Sequence, residues 1–444
     1  MEAEALERAT GLYREAFGAL EESRRAEPGW LAGLRRKAYS RFEELGFPTP
    51  RMEAWKYTGV ASIARTAFRA AGLASEPAGV AVPALAGAGP RLVFVNGAFR
   101  RDLSSLPSDG SLTVSPLRQA LADRPQMLES HLARQADWEN HAFTAWNTAF
   151  FGDGAFLEIP RGAVLPEPIE LLFLARAGAE PIAAHPRNLI VAGPQSQAVI
   201  VERYAGQGDP YLTNAVTEIV VGEGAVLDHT KLQRESSAGY HVQTIEARLE
   251  RRASFTSHNV ALGAALARTD INVLFDGEGG ECTLNGLFIG EDSQHLDTHT
   301  FIDHARPHCA SRELYKGILD EKSRGVFHGT IVVRPGAQKT DAMQTNKNLL
   351  LSSEALVDST PALEIFADDV KCKHGSTIGQ LDALALFYLR SRGIAEREAR
   401  AILTYAFAAD VAGRLRLPAV RAEIEELLAA RLSGAPLSLQ EVLP

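Results

Sequence analysis

A cysteine and a histidine late in the chain are the residues best suited to chemistry. Cys372 and His374 lie two positions apart in the segment 368–375. If that segment is extended, both side chains project from one face, so a thiolate and an imidazole could bind the same ion or partner. Two ligands do not complete a metal or cluster site, and the missing ligands could come from a second chain. A connector that happens to hold a cysteine is the alternative interpretation.

A second group of possible ligands lies upstream. On one strand, His295 and His299 would face the same side but stand about 13 Å apart, too far to share a metal ion. Strands stacked on one another could bring such residues closer, although surface or hydrogen-bonded histidines are the commoner outcome. Cys282, like Cys309, flanks a turn and is expected to be buried as a small hydrophobic residue. The group comprises His295, His299, His304, His308 and Cys309.

Sequence motifs typical of several large enzyme classes are absent. The chain contains no phosphate-binding lysine loop, nucleophile elbow, HExxH or paired CxxC. A formal net charge of −9 argues against a nucleic-acid-binding protein, which would present a basic face. Three cysteines cannot form a disulfide framework, and no basic leader or membrane-spanning apolar run is found. An enzyme could still hide a site assembled from several strands. We predict a soluble, cytoplasmic protein that binds neither nucleic acid nor membrane.

A turn recurs at a regular interval of about 28 residues through the middle of the chain. This repeat indicates which elements must position the cysteines and histidines described above. An apolar, β-branched run precedes most of the turns, and a second strand follows, as in 198–201. A period of this length is typical of units that stack on copies of themselves. We predict a mainly β protein with a parallel β-helix, or solenoid, of about 28 residues per rung. The turns start at Pro194, Gly222, Glu250, Glu278, Arg306 and Arg334.

Two other folds compete for the same pattern. Twenty-eight residues are also four heptads, so the period alone fits a long coiled coil. The glycines and prolines at the turns and the β-branched runs exclude that fold. A β-sandwich is the better competitor, but its strands need not keep one interval over five successive repeats.

Composition divides the chain into helical, β and helical parts. Residues 1–72 show helical spacing of apolar residues, and 73–90 read as a linker rich in Ala, Gly and Pro. Residues 91–365 read as the β-helix core, with a helical insertion near 119–151 that is expected to cap one end or face. Residues 366–444 read as a C-terminal helical domain.

Several long motifs resemble those of the SufB/SufD family of iron–sulfur cluster assembly proteins, and within it the SufD branch. The likeness is densest in 367–394, and it continues in 405–408, 315–317, 327–329 and, near the N-terminus, 48–58. The resemblance implies a right-handed parallel β-helix between N- and C-terminal α-helical regions. It also implies a non-enzymatic scaffold role, in which a SufB-like paralogue pairs with the chain and a SufC-like ATPase docks on the C-terminal helices.

The resemblance also assigns residues. SufB-type members carry a sulfur-accepting cysteine where this chain has Asn346, which cannot hold sulfane sulfur. His374 corresponds to the SufD-type histidine implicated in cluster assembly, and Cys372 to the interfacial cysteine, with imidazole and thiolate as possible iron ligands. No stably bound cofactor is expected, only transient iron or a nascent Fe–S cluster at the interface with the SufB-like partner. The expected contacts with the SufC-like ATPase are Leu381, Phe387, Tyr405 and Phe407.

Three alternatives remain open at this point. A SufB-type sulfur-accepting scaffold has the same fold but needs the missing cysteine. A β-helix enzyme acting on polysaccharide would use carboxylates and aromatic residues, and only 7% of the residues are aromatic. A homodimer is possible when the chain is isolated, since an exposed strand edge can pair with a second copy.

Overall fold

The computed structural model describes residues 2–25, 27–71, 85, 87, 89–107, 112–178, 180–208 and 210–433. Most of the predicted linker 73–90 and the last residues of the predicted C-terminal domain therefore lie outside the described residues. The helices in the described part are α1 Glu2–Ser23, α2 Gly29–Leu45, α3 Ala61–Arg65, α4 Leu117–Asp123, α5 Pro125–Glu129, α6 Ala142–Phe150, α7 Ala383–Ser391, α8 Glu396–Ala412 and α9 Pro418–Ser433.

Strands occupy most of the chain between these helical parts. The strands before the regular repeat are β1 Arg69–Ala70, β2 Arg91–Val95, β3 Ala98–Phe99, β4 Thr113–Pro116, β5 Ala155–Ile159, β6 Ile169–Arg176, β7 Ile182–Ala184 and β8 Arg187–Ala192. The strands of the repeat are β9 Gln197–Gln207, β10 Tyr211–Val221, β11 Val226–Arg234, β12 Tyr240–Leu249, β13 Ser254–Ala261, β14 Leu266–Phe275, β15 Glu281–Gly290, β16 His295–His304, β17 Ala310–Leu319, β18 Arg324–Val333, β19 Asp341–Leu350, β20 Leu356–Ile365 and β21 Lys371–Gly379.

Consecutive strands of the repeat alternate between two parallel sheets. Sheet A runs in the order β20-β18-β16-β14-β12-β10-β8-β5-β4, and sheet B in the order β21-β19-β17-β15-β13-β11-β9-β6-β2-β3. The two sheets form a parallel β-solenoid of about 8 turns, with about 29 residues per rung and helices at both ends of the chain. The predicted fold class is therefore confirmed.

The number of residues per rung varies more than the sequence period suggested. Thr244 pairs with Asp270, whereas Val326 pairs with Asp358. The rung between Val326 and Asp358 therefore contains more residues than the rung between Thr244 and Asp270. The rungs differ because the loops between strands differ in length, while the strands themselves stay in register.

Five of the six predicted turns contain one residue with left-handed backbone geometry, and these residues, with one from the sixth loop, form a ladder. The backbone N–H of Gln195, for example, donates to the carbonyl of Glu223 in the next rung, at 2.8 Å. Such bonds satisfy turn groups that would otherwise lack partners. In the last turn the left-handed residue is Lys339, three residues beyond the predicted 334–336, because the loop is longer there. The ladder positions are Gln195, Gly224, Arg252, Gly279, His308 and Lys339.

The helices cover the outer faces of the two sheets. On sheet A, the ring of Trp146 in α6 stacks on Phe42 of α2, with 5.3 Å between centroids. The side chain of Asn147 in α6 donates to two backbone carbonyls of the sheet region. On sheet B, Val260 and Leu287 belong to one buried cluster with residues of α8 and α9.

A buried ion pair fixes the segment between α5 and α6 to sheet A. The guanidinium of Arg187 donates to Glu218 Oε2 at 2.7 Å, and both side chains are fully buried. The same carboxylate accepts the backbone N–H groups of Ala133, Gln135 and Ala136. The helical insertion is thus held by charge-assisted hydrogen bonds as well as by apolar packing.

The described helices include none that is both long and apolar enough to cross a membrane.

Candidate functional site

The last strand of each sheet has one edge without a partner among the described residues. These are β20 in sheet A and β21 in sheet B, and together they form what we call the open end of the solenoid. Pro361 lies in the middle of β20, where the missing N–H interrupts any further ladder. Strand β21 contains no proline. Of the two edges, β21 is the better template for an added strand.

Cys372 and His374 both lie on β21. In the parallel pairing of β21 with β19, Cys372 is opposite Ala342 and His374 is opposite Gln344. Because they are two residues apart, both face the interior of the solenoid, which is open at this end. Cys372 is half-buried against the apolar core, and His374 is exposed. A neighbouring protein placed on the open end would reach both side chains.

The chemistry of Cys372 differs from the thiolate expected from sequence. Burial raises the pKa of its thiol, and the backbone N–H of Ala342 offsets that effect only in part. The group is therefore a thiol at neutral pH in the isolated chain, and it would lose its proton on binding a metal ion. Among the residues that the structure describes, no three His, Cys, Asp or Glu side chains lie close enough to hold a metal ion. The pair is an incomplete ligand set.

Polar side chains close the interior at the open end. Ser359 of β20 donates to Asn346 Oδ1 at 2.8 Å and shares a hydrogen bond with Ser376 of β21 at 2.7 Å. The amide of Asn348 donates to the same oxygen of Asn346. Asn346 is fully buried in this network and joins the two sheets. Asn346 is therefore a structural link between the two sheets.

Large apolar side chains surround the open end. Phe366, just after β20, is 61% exposed, and Ile378 on β21 is 53% exposed. An exposed apolar patch beside an unpaired strand edge is typical of a protein–protein contact. The exposed apolar residues here are Leu356, Ile365, Phe366 and Ile378.

The four residues expected to contact the ATPase lie in different environments. Phe387 on α7 is 69% exposed, and its neighbours Leu384 and Tyr388 are also exposed. The other three pack partly against the apolar cluster between sheet B and the C-terminal helices, so only part of each is accessible. They are Leu381, Tyr405 and Phe407.

The upstream histidines do not converge on one site. His304 is buried in the interior, where its ring stacks on Phe275 and shares a hydrogen bond with Ser311. His308 is exposed in a turn beside Glu278. The remaining residues of the group, His295 and His299, lie on the outer face of sheet A, and Cys282 and Cys309 are buried as expected.

Sequence reasoning missed the docking of the segment 48–58 on sheet A. The hydroxyl of Thr58 donates to Asp297 Oδ2 at 2.6 Å and shares a hydrogen bond with His295 at 2.9 Å. The guanidinium of Arg268 lies over the ring of Trp55, at 3.8 Å. The motif was visible in the sequence, but its partners lie in a distant part of the chain and only the fold reveals them.

Sequence comparisons cover both the helical start and the solenoid. Residues 4–171 match the family described as the SufBD protein N-terminal region, and residues 173–407 match the SUF system FeS cluster assembly, SufBD core domain. The chain belongs to the SufBD family. This membership confirms the resemblance and favours cluster assembly over the polysaccharide-acting alternative.

Curated relatives of similar length support the assignment. An iron–sulfur cluster assembly SufBD family protein of Synechocystis is 34% identical over 421 residues, covering 91% of this chain and 92% of the relative. The iron–sulfur cluster assembly protein SufD of Escherichia coli is 33% identical over 395 residues, covering 88% and 90%. The SufD protein of Bacillus subtilis is 25% identical over 420 residues, covering 90% and 94%.

Proposed function

We propose that the chain is a non-catalytic scaffold subunit that pairs through its open end with a SufB-like paralogue to build Fe–S clusters. One observation carries this proposal: Cys372, His374, an unpaired β21 edge and exposed apolar side chains occur together at one end of the solenoid. A partner strand added to β21 would satisfy its backbone groups and cover Ile378. It would also bring further ligands next to the incomplete pair.

Iron and the nascent cluster are cargo in this proposal. His374 offers an imidazole nitrogen and Cys372 a thiol, and both are suitable ligands for iron. Because the thiol must release its proton when it binds metal, higher pH favours the binding of iron by Cys372. The partner subunit would supply the remaining ligands, including the sulfur-accepting cysteine that this chain lacks at Asn346.

A SufC-like ATPase supplies the energy in the same proposal. The sequence contains no nucleotide-binding loop, so ATP must be bound elsewhere. The exposed side chains of Leu384, Phe387 and Tyr388 on α7 give such a partner an apolar contact beside β21. Dimerisation of two attached ATPases would then shift the paired open ends between two states, one of which admits iron and sulfur.

The test uses the full chain purified together with its SufB-like and SufC-like partners. His374→Ala should leave the complex intact and abolish maturation of Fe–S enzymes in cells, because it removes the exposed ligand. His308→Ala is the matched control, since His308 is also exposed but lies in a turn of the solenoid beside Glu278. Unchanged maturation in the His374→Ala strain would reject the role.

The oligomeric state gives a second test. Without its partner, the chain should form a homodimer through the same open end, which dissociates when the SufB-like subunit is added. A homodimer that persists beside excess SufB-like subunit would contradict the proposed pairing.

A further inference from the structure

Three residues on consecutive strands of sheet B form a polar column that ends at His374. Glu313 on β17 pairs in register with Gln344 on β19, and Gln344 pairs in register with His374 on β21. Residues in register on parallel strands lie about 4.8 Å apart, with their side chains on the same face. The column therefore leads from the interior of the solenoid to the exposed histidine.

Gln344 is held at one end of its amide and unpartnered at the other. Its Nε2 donates to Glu313 Oε2 at 2.6 Å, whereas its Oε1 is buried without a hydrogen-bond partner. Glu313 and Gln344 are 3% and 1% exposed. A buried acceptor without a partner destabilises the folded state, so such a group calls for an explanation.

The strand that faces Gln344 across the interior leaves space for this amide. Gly329 on β18 faces Gln344 across the solenoid, and a Cβ at Gly329 would overlap with Gln344 Nε2. Only glycine leaves room for the glutamine to reach across. The neighbouring column offers no such support, because Cys372 lies opposite the apolar Ala342. Of the two side chains, only His374 has a polar residue in register beneath it.

A histidine that binds metal through one ring nitrogen usually donates the N–H of the other to a fixed acceptor. That hydrogen bond selects the tautomer and the orientation of the ring. We propose that Gln344 is a positioning residue whose Oε1 accepts an N–H of the His374 imidazole, and that Glu313 holds the amide in the required orientation. The free ring nitrogen of His374 then faces the open end. This inference rests on the proposed function for its purpose, but the hydrogen bond can be measured without it.

The direct test is the tautomer of His374 in the full chain, read from imidazole nitrogen chemical shifts at about pH 8. The signal is assigned by comparison with His374→Gln. Gln344→Met keeps the length of the side chain and removes the acceptor, so the tautomer ratio should change about tenfold, as expected for one hydrogen bond. Asn348→Leu removes another interior amide and should leave the ratio unchanged.

A second pair of variants guards against loss of the fold. Glu313→Leu removes the anchor of the amide and should shift the ratio as Gln344→Met does, whereas Glu313→Gln retains an acceptor for Gln344 and should preserve the wild-type ratio. An unchanged ratio in both Gln344→Met and Glu313→Leu overturns the positioning role.

The same variants separate this inference from the proposed function. In the complex with the partner subunits, Gln344→Met should weaken Fe²⁺ binding about 10- to 100-fold, as loss of an outer partner of a metal-bound histidine does. Equal Fe²⁺ affinity of wild type and Gln344→Met would overturn the metal-positioning purpose. Normal maturation with His374→Ala would reject the scaffold role, even if the tautomer shift is observed.

Discussion

Phe366 gives the sharpest test of the open end as a binding surface. Its side chain is 61% exposed directly after β20. With about 200 Å² of total area for a buried aromatic side chain, roughly 120 Å² remains to be covered. At about 25 cal/mol per Å², burial of that area contributes about 3 kcal/mol, an upper limit for the effect on binding. Phe366→Ser should therefore weaken binding to the SufB-like subunit by about 10- to 100-fold.

The control is a residue of equal exposure far from the open end. Val164 is 62% exposed and lies next to Gln197 in the first rungs of the solenoid. Val164→Ser should leave the affinity within about twofold, and neither change should alter the free energy of unfolding by more than about 0.5 kcal/mol.

Titration calorimetry with the purified SufB-like subunit measures both affinities, and urea unfolding measures both stabilities. Equal affinities for the two variants would show that the open end is not the contact. A large loss of stability in Phe366→Ser would show that the side chain supports the fold rather than the partner.

The remaining predictions concern the solenoid and its C-terminal helices. Glu218→Ala should lower the free energy of unfolding by about 3–5 kcal/mol in urea, because it leaves the buried Arg187 unpaired; a loss below about 1 kcal/mol would contradict this. Burial raises the pKa of Glu313 from 4.5 to about 7. Because the unfolded chain releases a proton that the folded chain retains, the contribution of Glu313 to stability should fall as pH rises from about 5 to 7. Glu313→Gln removes this contribution, so the stability of the variant relative to the wild type should increase over that range. A difference in stability between the two that does not change with pH would refute the assignment. Asp382→Ala should speed hydrogen exchange at the start of α7 about fivefold, since the Asp382 carboxylate caps that helix, while Asp368→Ala should not.

The solenoid could be predicted from sequence because its signal is local and repeated. Alternation along each strand and turn residues at a regular interval give the sheets without knowledge of distant contacts. The register could not be predicted, because it depends on loop lengths that change from rung to rung. Lys339 shows this, since it takes the ladder position that the fixed interval assigned to 334–336.

The residues of the candidate site could be predicted from the sequence, but their burial and the protonation of Cys372 could not. The spacing of Cys372 and His374 places them on one face of any strand. Their surroundings depend on which strand is last in the sheet, and this decides that Cys372 is a half-buried thiol while His374 is exposed. The support under His374 was hidden for the same reason, because Gln344 and Glu313 lie one and two rungs upstream and meet it only through the register.

A buried lysine is one of the links between the C-terminal helices and the sheet that ends at β21. Lys316 on β17 donates to the carbonyl of Phe407 at 2.9 Å and pairs with Asp410 at 2.9 Å, and it is 5% exposed. Breaking these contacts would leave a buried ammonium unpaired, at a cost of about 3–5 kcal/mol. A force on α8 should therefore move β17 with it. Because β19 pairs with β17 and β21 pairs with β19, a shift of β17 would be passed through these two strands to His374.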